Sequence, residues 1–164
     1  TVLPIPDQYN SGYNLGVGGA VVDNNRLLLV RRASRRGRGN WQIPGGFVEL
    51  DETIERAVVR EVIEETGVVS EVTGVLGIRN RYSVENGNSI YVIFLMLPIS
   101  GEPKPDQREV DQASYFNLQE ILQLPQIPDI NKEVATRALS PSPRLLDPHI
   151  LNHANGTEYT LFLG

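Results

Sequence analysis

Apolar and polar positions divide the 164-residue chain into short segments of recognisable period. Gly16 to Val22 reads as a strand, Asp23-Asn24-Asn25 as a turn, and Arg26 to Val30 as the hairpin partner. Trp41 to Pro44 is short and extended, because a residue before proline avoids the helical region. Gly45 and Gly46 then permit a sharp turn. A helix follows at about 53–66, where Val58 and Val62 stand four apart and Ile54 continues their face. Asp51 or Thr53 is placed to cap it, and Gly67 stops it as a C′ glycine does.

The second half carries more strands than helices. Val68 to Arg79 is rich enough in β-branched residues to contain one. Ile90 to Leu97 (IYVIFLML) is apolar throughout, the pattern of a central strand buried on both faces. Pro98 to Val110 reads as a polar loop, Ala113 to Phe116 as a brief strand and Leu118 to Leu122 as a helical turn. Asp129 to Leu139 reads as a helix ended by Pro141 and Pro143, and Glu158 to Leu163 as a last strand. This order fits an α/β fold with one mixed sheet and a helix packed on each side. The expected organisation is an N-terminal arm at 1–15, one domain at 16–140, and a C-terminal extension at 141–164 packed on that domain.

Composition narrows the chemistry. There is no cysteine, and the only histidines are His149 and His153. Thiolate and multi-histidine metal sites are excluded, so any metal must be held mainly by oxygen, which favours magnesium or manganese. Pro148 and Asn152 argue against a helix that would align the two histidines, leaving them surface or packing roles. No apolar run reaches 18 residues, so no membrane span is expected, and Thr1–Leu15 lacks the pattern of a secretory signal. The expected compartment is cytoplasmic. A net charge of −5 does not suit a coat for long nucleic acid. Yet residues 31–39 (RRASRRGRG) hold five arginines, while residues 49–65 hold seven carboxylates. A basic edge beside an acidic pocket suits a small phosphate ester bound through metal.

The acidic segment is the informative one. Gly45 to Val68 reads GGFVELDETIERAVVREVIEETGV. Spacings of three and four place Glu61, Glu64 and Glu65 on one helical patch near the C-terminus, where they repel each other and the negative end of the helix dipole. Arg60, four before Glu64, can neutralise one of them, and a divalent cation can neutralise the set. Gly45 and Gly46, lacking Cβ atoms, can bring backbone carbonyls close to that ion. The cation would bridge phosphate oxygens, and one carboxylate could take a proton from the attacking water.

This segment resembles the Nudix box: G, five residues, E, seven residues, then REUxEExGU, with U a bulky aliphatic. Gly46, Glu52, Arg60, Glu61, Val62, Glu64, Glu65, Gly67 and Val68 fill every defined place. The wider likeness runs from about Leu15 to Leu124. It implies a Nudix-type α/β/α sandwich with a mixed central sheet, and metal-dependent cleavage of a phosphoanhydride. By the same resemblance, Glu64 and Glu65 would be the principal metal ligands, with the Gly45 carbonyl completing the shell. Glu61 would be a further ligand, the water-activating base, or both. Arg60 would orient the glutamates, and Gly46 and Glu52 would hold the loop. Family members differ in where the base sits, and the later loop offers Asp106, Glu109 and Asp111. We assign the base to Glu61 and an auxiliary ligand position to Glu109.

For substrate, Arg31 and Arg32 follow a strand and are placed to reach toward the cleft, although alternation allows only one of them to do so. Tyr82, after Arg79 and Arg81, is the candidate for nucleoside contact, whereas Trp41 and Phe94 read as packing residues. Tyr9 and Tyr13 either close over the cleft or seal a sheet edge. The resemblance implies Mg²⁺, with Mn²⁺ able to substitute, and a small-molecule nucleotide substrate. ADP-ribose or a related ADP-sugar is the leading expectation. A nucleoside triphosphate pyrophosphohydrolase of the MutT type, or a non-catalytic nucleotide-sensing domain, is the alternative. The frequent dimerisation of such enzymes makes a homodimer a candidate assembly.

Overall fold

The computed structural model describes residues 13–34, 36–151 and 156–164. Tyr9 and most of the N-terminal arm, His153, and the side chain of Tyr13 lie outside the described residues.

The apolar segments become β1 (Tyr13–Asp23), β2 (Arg26–Arg32), β3 (Trp41–Gln42) and β4 (Gly45–Phe47), then helix α1 (Ile54–Thr66). The long strands β5 (Val69–Ser83) and β6 (Gly87–Ser100) follow, then β7 (Val110–Phe116), α2 (Leu118–Gln123) and α3 (Asp129–Ala138). A hairpin of β8 (Asp147–Ile150) and β9 (Thr160–Leu163) ends the chain. Most expected elements are present; β1, β2, β5, β6 and β7 are longer than expected, while β3 and β9 are shorter. The loop expected at Pro98–Val110 loses both ends to β6 and β7. The unexpected β8 (DPHI) is exposed throughout, so no burial pattern marks it in the sequence.

The main sheet is mixed, in the order β3-β2-β1-β6-β5, with β4 on β1 and β7 on β2. Among the described residues, only β1 and β6 pair in parallel, joining residues 13–21 to 88–96. β1 serves two neighbours on its other edge: residues 16–18 pair with β4, and 22–23 with β2. The expectation of a strand buried on both faces holds for β6. Val92, Phe94 and Met96 pack with Val58 and Val62 of α1. Ile93 and Leu95 pack on the opposite side with Ile121, Val134 and Ala135 of α2 and α3. The result is helix, sheet, helix.

Helix α1 has the predicted ends. Thr53 Oγ1 accepts from Arg56 N at 3.2 Å, and Gly67 takes the left-handed conformation (φ 72°) while its N–H reaches Ile63 O. Gly45 and Gly46 do not form the expected sharp turn but run extended as β4 against β1. On the far side, Asn131 Oδ1 of α3 accepts from Ile43 N at 3.1 Å, tying the approach to β4 to that helix. The C-terminal segment meets the sheet where Leu146 and Val75 exchange backbone hydrogen bonds of 2.9 Å, and where Phe162 stands edge-on to Phe94.

Gly45 is the tightest point between β4 and β1, since a Cβ there would lie 2.1 Å from the Val17 carbonyl oxygen. Backbone cannot yield as a side-chain tip can. Gly45→Ala should therefore destabilise the fold by at least about 1–3 kcal/mol. Urea unfolding should show a lower midpoint at unchanged slope; a wild-type midpoint would mean that β4 sits farther from β1 than described.

Candidate functional site

The buried stripe of α1 contains Ala57, Val58, Glu61, Val62, Glu65 and Thr66. The spacing that seats Val58 and Val62 in the core also carries Glu61 and Glu65 onto the sheet-facing side. What they meet there is glycine. A Cβ on Gly46 would lie 2.5 Å from the Glu61 carboxyl carbon, so only glycine leaves room for that carboxylate.

A third acid comes from elsewhere. Glu61, Glu65 and Glu109 each present a carboxylate oxygen, and these lie within 4.8 Å of one another. Glu109 sits on the loop before β7. Asp106 Oδ1 accepts the backbone N–H groups of Arg108, Glu109 and Val110 at 2.8–3.0 Å, and Glu109 O accepts from Ala33 N at 2.8 Å. The loop thus fixes the backbone from which Glu109 projects.

Glu64 does not join this group. Helix residues turn by ~100° each, so Glu65 lies ~40° to one side of Glu61 and Glu64 ~60° to the other. The side chain of Glu64 is 56% exposed and receives Arg60 Nη1 at 3.2 Å. The expected convergence of all three box glutamates is therefore corrected: two converge, and Glu109 supplies the third carboxylate.

Arg60 lies at the rim of the triad. It donates to both carboxylate oxygens of Glu52 at 2.7 and 3.0 Å, to Glu61 Oε1 at 2.9 Å, and to Phe47 O at 3.1 Å. Its guanidinium holds Glu52 down to about 2, helped by the Glu49 N–H. Glu52 in turn closes the loop through that N–H at 2.9 Å.

Glu65 is in the opposite state. Burial, and then the neighbouring Glu61 and Glu109, push its carboxyl up to about 8, against a small opposing effect of the Gly45 N–H. Its Oε2 is buried without a partner. Burial also raises Glu61, more than Arg60 lowers it. Three crowded carboxylates, one with an orphaned oxygen, beside two cramped glycines make a donor set suited to a hard divalent cation.

Next to this triad opens a cleft of about 470 Å³ whose lining includes Gly45 and Gly46. Arg32, Arg36, Arg79 and Arg81 contribute to its walls, with Ser89 and Tyr91. Arg79 and Arg81 stand opposite Tyr91 and Ser89 in the β5–β6 ladder. Arg79 lies over the Tyr91 ring, 5.1 Å from its centre, and donates to Ser89 Oγ at 2.7 Å. Tyr91 fits because Gly18 faces it: a Cβ there would come within 2.0 Å of the tyrosine oxygen.

Of the expected substrate residues, only Arg32 lines this cleft. Arg31 instead pairs with Asp111 at 2.8 and 3.1 Å and lies against Trp41, which is buried edge-on to Phe116. Tyr82 is 67% exposed and does not line the cleft. The cause is alternation along β5: Arg79 and Arg81 share one face, and Tyr82 takes the other. Sequence reading passed over Arg79 and Arg81. Their spacing of two at a strand end was the available signal.

The NUDIX domain model matches residues 12–138, more than half of the chain. The chain belongs to the NUDIX domain family. Among NUDIX relatives, it is 35% identical over 111 residues to the ADP-ribose pyrophosphatase of Methanocaldococcus jannaschii, covering 67% of this chain and 65% of that protein. It is 30% identical over 120 residues to Nudix hydrolase 2 of Arabidopsis thaliana, covering 71% and 43% respectively. The chain thus spans less than two thirds of the length of these curated relatives. Among solved structures, the MutT NUDIX hydrolase from Burkholderia pseudomallei aligns at TM-score 0.66 and 28% identity, covering 76% of this chain and 96% of that one. The NUDIX domain of Shewanella oneidensis NrtR, complexed with ADP ribose, aligns at TM-score 0.67 and 25% identity, covering 81% and 90%. Among the described residues, no helix is long and apolar enough to cross a membrane.

The raised Glu65 has a consequence for stability. The folded chain keeps a proton there that the unfolded chain, at an ordinary value near 4.5, has released. Stability of the metal-free protein should therefore fall as pH rises from about 4.5 to about 8. Melting curves in EDTA should show this decline, and Glu65→Gln should flatten it. An equal slope in wild type and variant would place the titration elsewhere.

Proposed function

We propose that this chain hydrolyses a phosphoanhydride bond in a nucleoside diphosphate linked to another moiety, with ADP-ribose or a related ADP-sugar as the substrate. The observation that carries this reading is the carboxylate triad with its orphaned Glu65 oxygen, set against a cleft walled by arginines. The name of the Methanocaldococcus relative and the ADP ribose bound to the NrtR domain support the choice of substrate.

Glu61, Glu65 and Glu109, with the Gly45 carbonyl, are the residues that would hold a divalent cation; Glu64 stands at the rim on Arg60. Magnesium, with manganese able to replace it, would neutralise charge on the phosphate oxygens and acidify the attacking water. Glu61 takes the water proton. Arg60 occupies its Oε1, and burial makes the carboxylate a better proton acceptor than one in water. The water oxygen bonds to one phosphorus, and the bridging P–O bond breaks with its electron pair going to the departing phosphate. Two phosphate-bearing fragments result. Arg60 acts as a positioning residue, holding Glu61 and the Glu52 loop in one frame.

A second reading, pyrophosphohydrolysis of nucleoside triphosphates, draws on the arginines of the cleft, which can meet more phosphate than ADP-ribose carries. Product analysis with magnesium across ADP-ribose, other ADP-sugars, and normal and oxidised nucleoside triphosphates separates the two. We expect ADP-ribose to lead in kcat/KM. A triphosphate leading by about 100-fold, a margin that polar recognition readily produces, would overturn the choice of substrate. Absence of any EDTA-sensitive cleavage would leave a nucleotide-binding domain without turnover.

The proton acceptor has its own test. Glu61→Gln should lower kcat by about 10²-fold or more while the melting temperature stays near wild type. A near-normal rate would shift the role to Glu109.

A further inference from the structure

Asparagine followed by glycine occurs twice in the chain, at Asn86-Gly87 and Asn155-Gly156. Asn155 lies outside the described residues. Asn86 stands at the tip of the hairpin that joins β5 to β6, is exposed, and lines the cleft beside the carboxylate triad. Asparagine is among the thermolabile side chains. Its amide carbon is open to attack by the backbone nitrogen of the next residue, an intramolecular reaction whose partner is always at hand. A following glycine favours that attack, because no Cβ hinders the approach and the backbone can rotate into it.

The hairpin needs the glycine but leaves the asparagine amide uncommitted. Ser83 pairs with Gly87, so residues 84–86 form the loop. Gly87 has φ 68°, a left-handed conformation that other residues rarely adopt. The turn is closed through the main chain of Asn86, whose N–H donates to Ser83 Oγ at 3.0 Å. Its side chain makes no hydrogen bond among the described residues. Other asparagines are tied down: Asn80 Nδ2 donates to Asn88 Oδ1 at 3.2 Å, Asn117 Oδ1 caps α2, and Asn131 Oδ1 accepts from Ile43 N.

The surrounding charge favours the change. Arg32, Arg36, Arg79 and Arg81 line the same cleft, and that lining contains no aspartate or glutamate. Arg81, one strand across from the start of β6, is exposed and forms no ion pair among the described residues. Positive charge stabilises both the deprotonated amide nitrogen that attacks and the carboxylate that results.

We propose that Asn86 is a self-modification site, deamidated through a cyclic imide with Gly87, and that the change turns down the cleft as the protein ages. Gly87 N bonds to Asn86 Cγ, the Cγ–Nδ2 bond breaks, and the proton lost by the glycine nitrogen leaves with the amide as ammonia. Water then opens the ring and returns a proton to Gly87 N. Opening at Cγ gives aspartate; opening at the main-chain carbonyl gives isoaspartate, which lengthens the backbone of the loop by one atom. Either product is one unit more negative than the original chain of net charge −5, and it is the one acid in the cleft lining. The site itself is independent of any activity, but its effect rests on reading the cleft as the place of an anionic nucleotide substrate.

The test is to hold the folded chain in mildly alkaline buffer, well below its melting temperature, and to follow residue 86 by peptide mass spectrometry with fragmentation that separates aspartate from isoaspartate. Wild type should gain both products at Asn86, and Asn86→Gln should stay unmodified over the same time. Melting curves establish that each variant is folded. Asn86→Asp, the mimic of one product, should raise KM for ADP-ribose by about two- to fivefold over fresh wild type, the scale of an exposed charge interaction, with a smaller change in kcat. The rise should shrink with added salt. An unmodified Asn86 in the folded chain, while a peptide of residues 82–90 converts, overturns the site. Aspartate formed without isoaspartate overturns the cyclic route. An unchanged KM in Asn86→Asp overturns the effect on the cleft. Conversion at Asn86 in a chain that cleaves no nucleotide supports the site and overturns the hydrolytic reading; cleavage without conversion does the reverse.

Discussion

The architecture turns on two carboxylates placed where leucines or valines would ordinarily go. Glu61 and Glu65 occupy the apolar stripe of α1, and the sheet receives them through glycines rather than through side chains. Burying an acid this way is unfavourable unless it is neutralised. The fold meets that constraint unequally. Glu61 has a guanidinium on one oxygen, while Glu65 retains an oxygen with no partner. The unmet part of the demand is what leaves room for a cation, since a fully satisfied acid would have no oxygen to offer one.

Opposite charges are kept apart by assigning them to different elements. Helix α1 and the loop before β7 supply the acids, and strands β2 and β5 with the loop after β2 supply the arginines of the cleft. Arg60 is the exception, and its role differs accordingly. Surrounded by Glu52, Glu61 and Glu64, it is already neutralised and has no charge to offer a ligand. Its value lies in geometry: one guanidinium fixes the helix, the loop and the Phe47 carbonyl relative to one another. Arg32 and Arg79 are the converse, ordered by neutral partners and left with their charge unspent.

What the sequence disclosed depended on the range of the information. Local signals were reliable. Thr53 and Gly67 marked the helix, and the Gly46–Val68 spacing identified the NUDIX segment, because both are read within a few turns of chain. Orientation was harder. Glu61, Glu64 and Glu65 are neighbours by count, but a helix separates Glu64 from Glu65 by ~100°. The strand case is subtler. Val75 packs toward α1, and plain alternation would send Arg79 the same way. A register shift between Val75 and Gly77 places Gly77 opposite Ile93, a residue of the other face, and so turns Arg79 and Arg81 into the cleft. One unpaired residue reverses the face of everything that follows it, and only the partner strand reveals it. Arg31 was lost as a cleft residue for a related reason, since Asp111, eighty residues away, claims it.

The parallel pairing of β1 with β6 bears on how the molecule comes into being. An antiparallel hairpin closes as soon as its turn forms, but this ladder joins residues 13–21 to 88–96, and everything between is an intervening loop until it closes. Helix α1 and strand β4 both lie inside that loop. On a ribosome, Glu61 and Glu65 emerge well before β6, and they remain hydrated and ordinary in acidity until that strand completes the sheet behind them. This non-local ladder, with the slow closure expected of high contact order, supplies part of the sheet against which the two acids are buried. A cation held by Glu61, Glu65 and Glu109 would therefore need a helix and a distant loop already brought together, so its binding would report, and reinforce, the assembled fold.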